Sequence, residues 1–193
     1  MAMPAVQRRW TARDVRELIA ESPLQSPRYE LVNGELLVTP SPGGPHQNAV
    51  LALAAALREY LQKYPVGHVY VSPFDVELES ELIVQPDVFV VPMDEARRLV
   101  TELPARKLLV ATEVVSPTSG RHDRVTKRPH YQDHVPETWI IDLDARLFER
   151  WQPNDQRPAI LLDELVWLAP GAPEAFRLGL PRYFRECFNE PAV

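Results

Sequence analysis

The sequence predicts an α/β or α+β fold built on a mixed sheet. Three observations carry that prediction. Asn33-Gly34 stands between two apolar runs, the strongest short-range signal for a β-hairpin. Three strand-like runs follow within residues 68–115, and the last, Lys107 to Val115, is apolar enough to be buried on both faces. A helical stretch of about His122 to His134 then separates that run from a buried strand opening at Thr138. A helix joining two strands of one sheet implies a parallel crossover.

The elements follow in order. Thr11 before Ala-Arg-Asp predicts an N-cap and a helix to about Glu21. Tyr29 to Thr39 is the hairpin, and Ser41 to Pro45 is a loop. Pro45 suits the first turn of a helix running from about His46 to Tyr64, with Val50, Leu53, Leu57 and Leu61 on one face. His68–Leu78 and Ile83–Val91 read as strands. A short helix at Asp94–Val100 precedes the Lys107–Val115 strand. Ser116 to Gly120 reads as a loop. Beyond the Thr138–Leu143 strand, Ala145–Trp151 and Ala159–Leu162 look like antiparallel additions. The stretch after Pro173 has no sharp pattern. The 193 residues fit one domain, with a core of about 28–143 and ragged ends at Met1–Gln7 and Glu190–Val193.

Composition narrows the function classes. A net charge of −6 argues against coating nucleic acid through bulk charge, though not against a nuclease whose acids cluster in one cleft. The single Cys187 excludes an internal disulfide and fits a reducing cytoplasm. No run is long and apolar enough to span a bilayer, and no signal-peptide pattern opens the chain. The 20 prolines scatter without a repeat, which places them at turns and strand ends.

The residues that promise chemistry lie between Ile83 and Tyr131. Asp87 follows Pro86 near the start of one apolar run, and Glu113 comes near the end of the next. Asp123, Lys127 and Tyr131 follow at four-residue spacing, on one helix face. Two carboxylates suit a hard divalent cation, and a lysine beside them suits a phosphate. Bland readings stand beside each. Asp87 fits a solvent-facing turn at a sheet edge, since proline in strands prefers edges. Glu113 fits a buried ion pair with an arginine or lysine. The helix triad fits a solvated face with one salt bridge. Glu30 is a possible further ligand or base, or a hairpin surface residue. His46 is a phosphate contact or a local hydrogen-bonding group. Arg121 and Arg124 flank the candidate site as phosphate binders, although exposed arginines are common. Ser116 polarises a ligand or caps its turn.

With these segments in view, the chain resembles the Uma-two family of restriction endonuclease-like proteins, a branch of the PD-(D/E)XK nuclease superfamily. The resemblance rests on Tyr29-Glu-Leu-Val-Asn-Gly-Glu-Leu, His46 opening a helix, Val84-Gln-Pro-Asp-Val-Phe-Val-Val and Thr112-Glu-Val-Val-Ser-Pro-Thr-Ser. It continues through Asp123, Lys127, Tyr131 and Val135-Pro-Glu-Thr-Trp-Ile-Ile-Asp. It covers about Tyr29 to Asp142. It implies an αβββαβ core and a divalent ion, usually magnesium or else manganese, held by Asp87 and Glu113. The superfamily lysine stands two residues after the second acid. That position is Val115 here, and the resemblance offers Lys127 on the next helix instead, with Tyr131 in the place of a helix tyrosine. Two departures stand out. Pro129 falls between Lys127 and Tyr131, where it should kink the helix or shift its start. His134 stands where the family usually has glycine.

The expectation is therefore a magnesium- or manganese-dependent endonuclease that hydrolyses phosphodiester bonds in nucleic acid, with DNA as the expected substrate. Asp87, Glu113 and Lys127 are its catalytic residues, supported by Glu30, His46, Asp123 and Tyr131. A catalytically inactive nuclease-fold protein acting in binding or assembly is the alternative, as is a homodimer pairing through apolar positions around Phe148 and Trp151.

Overall fold

The computed structural model describes residues 9–21, 27–39, 41–115 and 123–191. The expected order of elements is largely present. Helix α1 spans Ala12–Glu21. Its start is closed reciprocally: the Asp14 N–H donates to Thr11 Oγ1 at 3.2 Å, and the Thr11 N–H donates to Asp14 Oδ2 at 2.9 Å. Strands β1 (Arg28–Val32) and β2 (Glu35–Thr39) form the hairpin. Both turn residues have positive φ, 52° at Asn33 and 83° at Gly34, as a two-residue turn matched to strand twist requires. Helix α2 spans Gly44–Lys63 with proline in its first turn.

Two expected strands are instead broken. His68–Leu78 divides into β3 (Gly67–Val71) and β4 (Val76–Glu79), and Ile83–Val91 divides into β5 (Leu82–Val84) and β6 (Val88–Pro92). Each break falls at a proline, Pro73 or Pro86, which cannot donate to a ladder. The halves then join different sheets. Strands β2-β1-β5-β4 make a small antiparallel sheet. The larger sheet runs β10-β9-β8-β7-β6-β3, and it uses β7 (Val110–Val115), β8 (Glu137–Asp142), β9 (Leu147–Trp151) and β10 (Ala159–Leu161). Among the strands described, β7 and β8 alone pair in parallel, so the predicted crossover and the mixed sheet are both present. Helix α3 is Met93–Arg98, and α4 is Arg128–His134. The chain after residue 163, whose part beyond Pro173 shows no sharp sequence pattern, forms a hairpin of β11 (Glu164–Trp167) and β12 (Phe176–Gly179), then helix α5 (Leu180–Cys187). These elements are short, and their apolar residues are secured by tertiary packing more than by local pattern.

Alternation along the larger sheet sorts its two faces. Val88, Val90, Val110, Val114, Trp139 and Ile141 pack with Leu53 and Leu57 of α2 and with Tyr183 and Phe184 of α5. Phe89, Val91 and Ala111 turn the other way, toward Tyr131 of α4 and toward Val32 and Val84 of the small sheet. Phe148 lies in the first of these cores with no exposure, and Trp151 is buried under the Arg128 guanidinium, 4.3 Å from its ring centre. Neither is available as an interface with another copy, which corrects the basis for pairing there. No helix among the described residues is long and apolar enough to cross a membrane.

Candidate active site

The site forms where the small sheet, the larger sheet and the crossover helix meet. On β1 the period of two puts Arg28, Glu30 and Val32 on the face toward the larger sheet, and Tyr29 and Leu31 on the face toward α1. Asp87 lies in the Gln85-Pro86-Asp87 link, where the chain leaves one sheet for the other. Val88 pairs with Thr112 and Val90 with Val110, so one further step of that register sets Asp87 opposite Glu113. Glu113 shares its strand face with Ala111, which is the face covered by α4.

The chain into α4 has a wider turn than an α-helix. Asp123–Lys127 is π-helical and runs into α4 at Arg128. Pro129 accounts for this: it has no N–H to donate to the Val125 carbonyl, and its ring crowds that carbonyl. The expected disturbance is present, yet it does not turn Lys127 to solvent. Asp123, Lys127 and Tyr131 are all buried. The reading of these three as a solvated face is thereby corrected.

Lys127 Nζ lies 2.9 Å from Glu30 Oε2, 3.0 Å from Asp123 Oδ1 and 3.3 Å from Glu113 Oε1. The Tyr131 hydroxyl donates to the same Glu113 oxygen at 2.6 Å. Glu30 Oε1 accepts the Gln85 backbone N–H at 2.8 Å. Asp87 is held separately. Its Oδ1 accepts from Arg28 Nη1 at 2.7 Å, and its Oδ2 accepts from the Val114 N–H at 2.9 Å and from His46 Nε2 at 3.1 Å. Glu30 and Asp87 are buried, so neither is a surface residue of its strand.

The electrostatics follow from this layout. Burial would raise the Asp87 carboxyl, but the His46 hydrogen bond and the Arg28 charge outweigh it and hold Asp87 at about 2. Burial pushes Glu113 well up, Lys127 opposes, and the negative charges of Asp123, Asp87 and Glu30 add to the rise. Burial alone would lower the Lys127 ammonium, yet Glu113, Glu30 and Asp123 raise it well above its usual range. The Tyr131 hydroxyl is raised by burial and by Glu113 beside it.

Arg28 was not singled out in the sequence. The signal for it is the spacing: once Glu30 is assigned inward on β1, Arg28 two residues earlier must share its face. Arg124 points elsewhere, between Asp142 and Glu149 at 2.6 Å each. Arg121 and Ser116 lie outside the described residues. His134 reaches away to Glu79 at 2.9 Å.

As the side chains stand, no group of three or more His, Cys, Asp or Glu among the described residues is arranged to hold a metal ion. The donor set nevertheless fits one in chemistry. Glu30, Asp87, Glu113 and Asp123 are four carboxylates, and Arg28 and Lys127 are two permanent cations, which leaves a formal excess of two negative charges. A divalent ion of the hard, oxygen-binding kind matches that excess. Buried side-chain atoms without a hydrogen-bond partner also gather here. Arg28 Nε, Glu30 Oε2, His46 Nδ1 and Gln85 Oε1 are four of the six found among the described residues. Glu30 Oε2 is the least isolated of the four, with the Lys127 ammonium 2.9 Å away. Unsatisfied buried polar groups concentrated in one place mark a site shaped for something other than stability.

Comparison with known proteins bears on the fold and the family. A crystal structure of a putative nuclease belonging to DUF820, from Anabaena variabilis ATCC 29413, shares the fold at a TM-score of 0.70. The match covers 89% of this chain and 97% of that one at 14% identity. No curated protein sequence matches the chain. The model of the family named Uma2, described as putative restriction endonuclease, matches residues 16–180, and the chain therefore belongs to that family.

Proposed function

We propose that the protein is a divalent-metal-dependent nuclease that hydrolyses phosphodiester bonds in DNA, with magnesium or manganese as the ion. The observation that carries this reading is the convergence of Glu30, Glu113 and Asp123 on Lys127, beside an Asp87 kept ionised by Arg28 and His46. Asp87 and Glu113 would hold the ion. When bound, such an ion lowers the pKa of a coordinated water and polarises a phosphoryl oxygen. The remaining work belongs to the side chains. Arg28, His46 and the Val114 N–H fix the Asp87 carboxylate. Tyr131 fixes Glu113, and the lysine it lacks at position 115 is replaced from the next helix. Lys127 presents a positive charge to a phosphate as negative charge builds in the transition state.

The test is cleavage of supercoiled plasmid and of single-stranded DNA and RNA oligonucleotides, in magnesium, manganese or chelator. Wild type should cut DNA only with the ion. Asp87→Asn and Glu113→Gln should lower the rate by orders of magnitude. Cleavage that persists in chelator, or cleavage at the wild-type rate by both variants, overturns the reading. A second reading is a nuclease-fold protein that binds nucleic acid without cutting it. The observation favouring it is that both Asp87 oxygens are already engaged by protein donors. Divalent-dependent binding without any product would identify it.

A further inference from the structure

We infer that the groove beside Arg28 is a pocket for a single unstacked nucleobase of the substrate. It has a volume of about 340 Å³, at the small end of the range of ligand pockets. Ile19, Tyr29, Phe74 and Leu103 give it apolar and aromatic walls, and Arg28 and Gln85 supply its polar groups. This inference rests on the nuclease reading, because it names part of what that site would bind.

Three observations carry it. The first is continuity with the acids. Arg28 Nη1 bonds Asp87 and also lies 3.4 Å from the Gln85 carbonyl, while the Gln85 N–H bonds Glu30. The same two residues thus line the pocket and touch the candidate catalytic carboxylates. A phosphate at those carboxylates would bring the neighbouring nucleotide to this wall.

The second is unmatched hydrogen-bonding capacity. Arg28 Nε is a donor with no partner, and Gln85 Oε1 is an acceptor with no partner. The Gln85 orientation is fixed by its neighbour: Nε2 donates to Asp75 Oδ1 at 2.8 Å, and a carboxylate only accepts. Arg28 Nε and Gln85 Oε1 are both buried in the pocket wall, so a small side-chain shift on binding would present one donor and one acceptor. The hydrogen-bonding edge of a base carries the complementary pair, an N–H or amino group next to a carbonyl or ring nitrogen.

The third is the chemistry of the walls. Aromatic side chains accept a base by its face, a contact every base can make. The other polar groups at the wall are already matched, since Arg16 pairs with Glu77 at 2.7 Å and Asp75 with Gln85. Among the described residues of the wall no unpaired cation remains to select a bare anion, so a neutral ring suits the pocket better than a phosphate does. A base reaches such a pocket only from a single strand or by leaving the stack.

The test is ligand-observed NMR in chelator with deoxynucleoside 5′-monophosphates, and with deoxyribose 5-phosphate as the probe without a base. Binding of the nucleotides with saturation transfer to the base protons, and none for the sugar phosphate, is the expected result. Leu103→Trp fills the pocket mouth at a position that is 69% exposed, so the fold should tolerate it. It should weaken nucleotide binding at least tenfold, and Gln85→Leu should weaken it severalfold. Equal binding of nucleotide and sugar phosphate, unchanged binding by Leu103→Trp, or no nucleotide binding at millimolar concentration overturns the inference. The two readings fail separately. Base-dependent binding without any cleavage leaves the pocket standing and removes the nuclease. Cleavage without base-dependent binding does the reverse.

Discussion

At the scale of single residues, Lys127 and Glu113 are neighbours with opposite expected consequences. Removing the ammonium with Lys127→Met leaves Glu30, Asp123 and Glu113 buried without their cation, and should cost roughly 3–5 kcal/mol in urea denaturation of the metal-free protein. Glu113→Gln keeps an oxygen for the Tyr131 hydroxyl and removes a charge from a crowded acidic cluster. It should leave the apo protein equally or more stable at pH 8. A large loss there would mean that Glu113 is needed as an anion. The pH profile follows from the same groups. The folded Asp87 carboxyl is depressed to about 2, so its stabilisation is full above the unfolded value and is lost as pH falls from about 4 toward 2. That loss is about 2 kcal/mol. Glu113 acts in the other direction. Its folded pKa is raised, so the folded state loses stability as pH climbs above the unfolded value of about 4.3. Melts of wild type and Glu113→Gln from pH 4 to 9 should diverge on the alkaline side, the variant being the flatter.

At the scale of elements, the π-helical turn at Asp123–Lys127 is the device that matters most. Four-residue spacing in an α-helix would stack Asp123, Lys127 and Tyr131 on one stripe. The wider turn alters that stripe one step before α4, and Lys127 still reaches both Glu30 and Glu113. Pro129→Ala restores an N–H at that point and permits an ordinary helix. It should leave the melting temperature within a few degrees of wild type while reducing divalent-dependent cleavage by about 10²-fold, the scale of a 1 Å misplacement. Unchanged cleavage would show that the proline has no part in positioning. Asp87 and Glu113 were legible in the sequence because apolar surroundings make a charged residue conspicuous, whereas Asp123, Lys127 and Tyr131 stand in a polar stretch and were marked by their four-residue spacing and the family resemblance. Arg28 was not, because an arginine before a tyrosine at the head of a hairpin carries no mark of burial. The breaks at Pro73 and Pro86 were missed for a different reason. Periodicity reports that a run is extended, not which of two sheets receives each half.

At the scale of the whole molecule, the C-terminal hairpin and helix complete the core that α2 begins. Phe148 packs edge-on against Tyr183 at 5.4 Å and against Phe184 at 6.0 Å. Phe148→Ala should cost about 3–5 kcal/mol in chemical denaturation. A surface or interface role would instead leave stability nearly unchanged and alter the oligomeric state, which light scattering of the same samples would detect. The mixed sheet and its parallel crossover were legible because a buried strand, a helix and a second buried strand admit few arrangements. The closing of the core by the last thirty or so residues was not, since short elements declare themselves only through what they pack against.

The break at Pro86 has one more consequence. Glu30 belongs to the small sheet, Glu113 to the large one, and Asp87 to the joint between them. No single layer contains the constellation, so it exists only while the two layers keep their mutual fit. A slight parting of the layers, far short of global unfolding, would separate Lys127 from one of its partners while leaving each sheet intact. Catalytic competence should therefore report on the seam between layers, and mild denaturant should abolish it well before tryptophan fluorescence registers loss of either core.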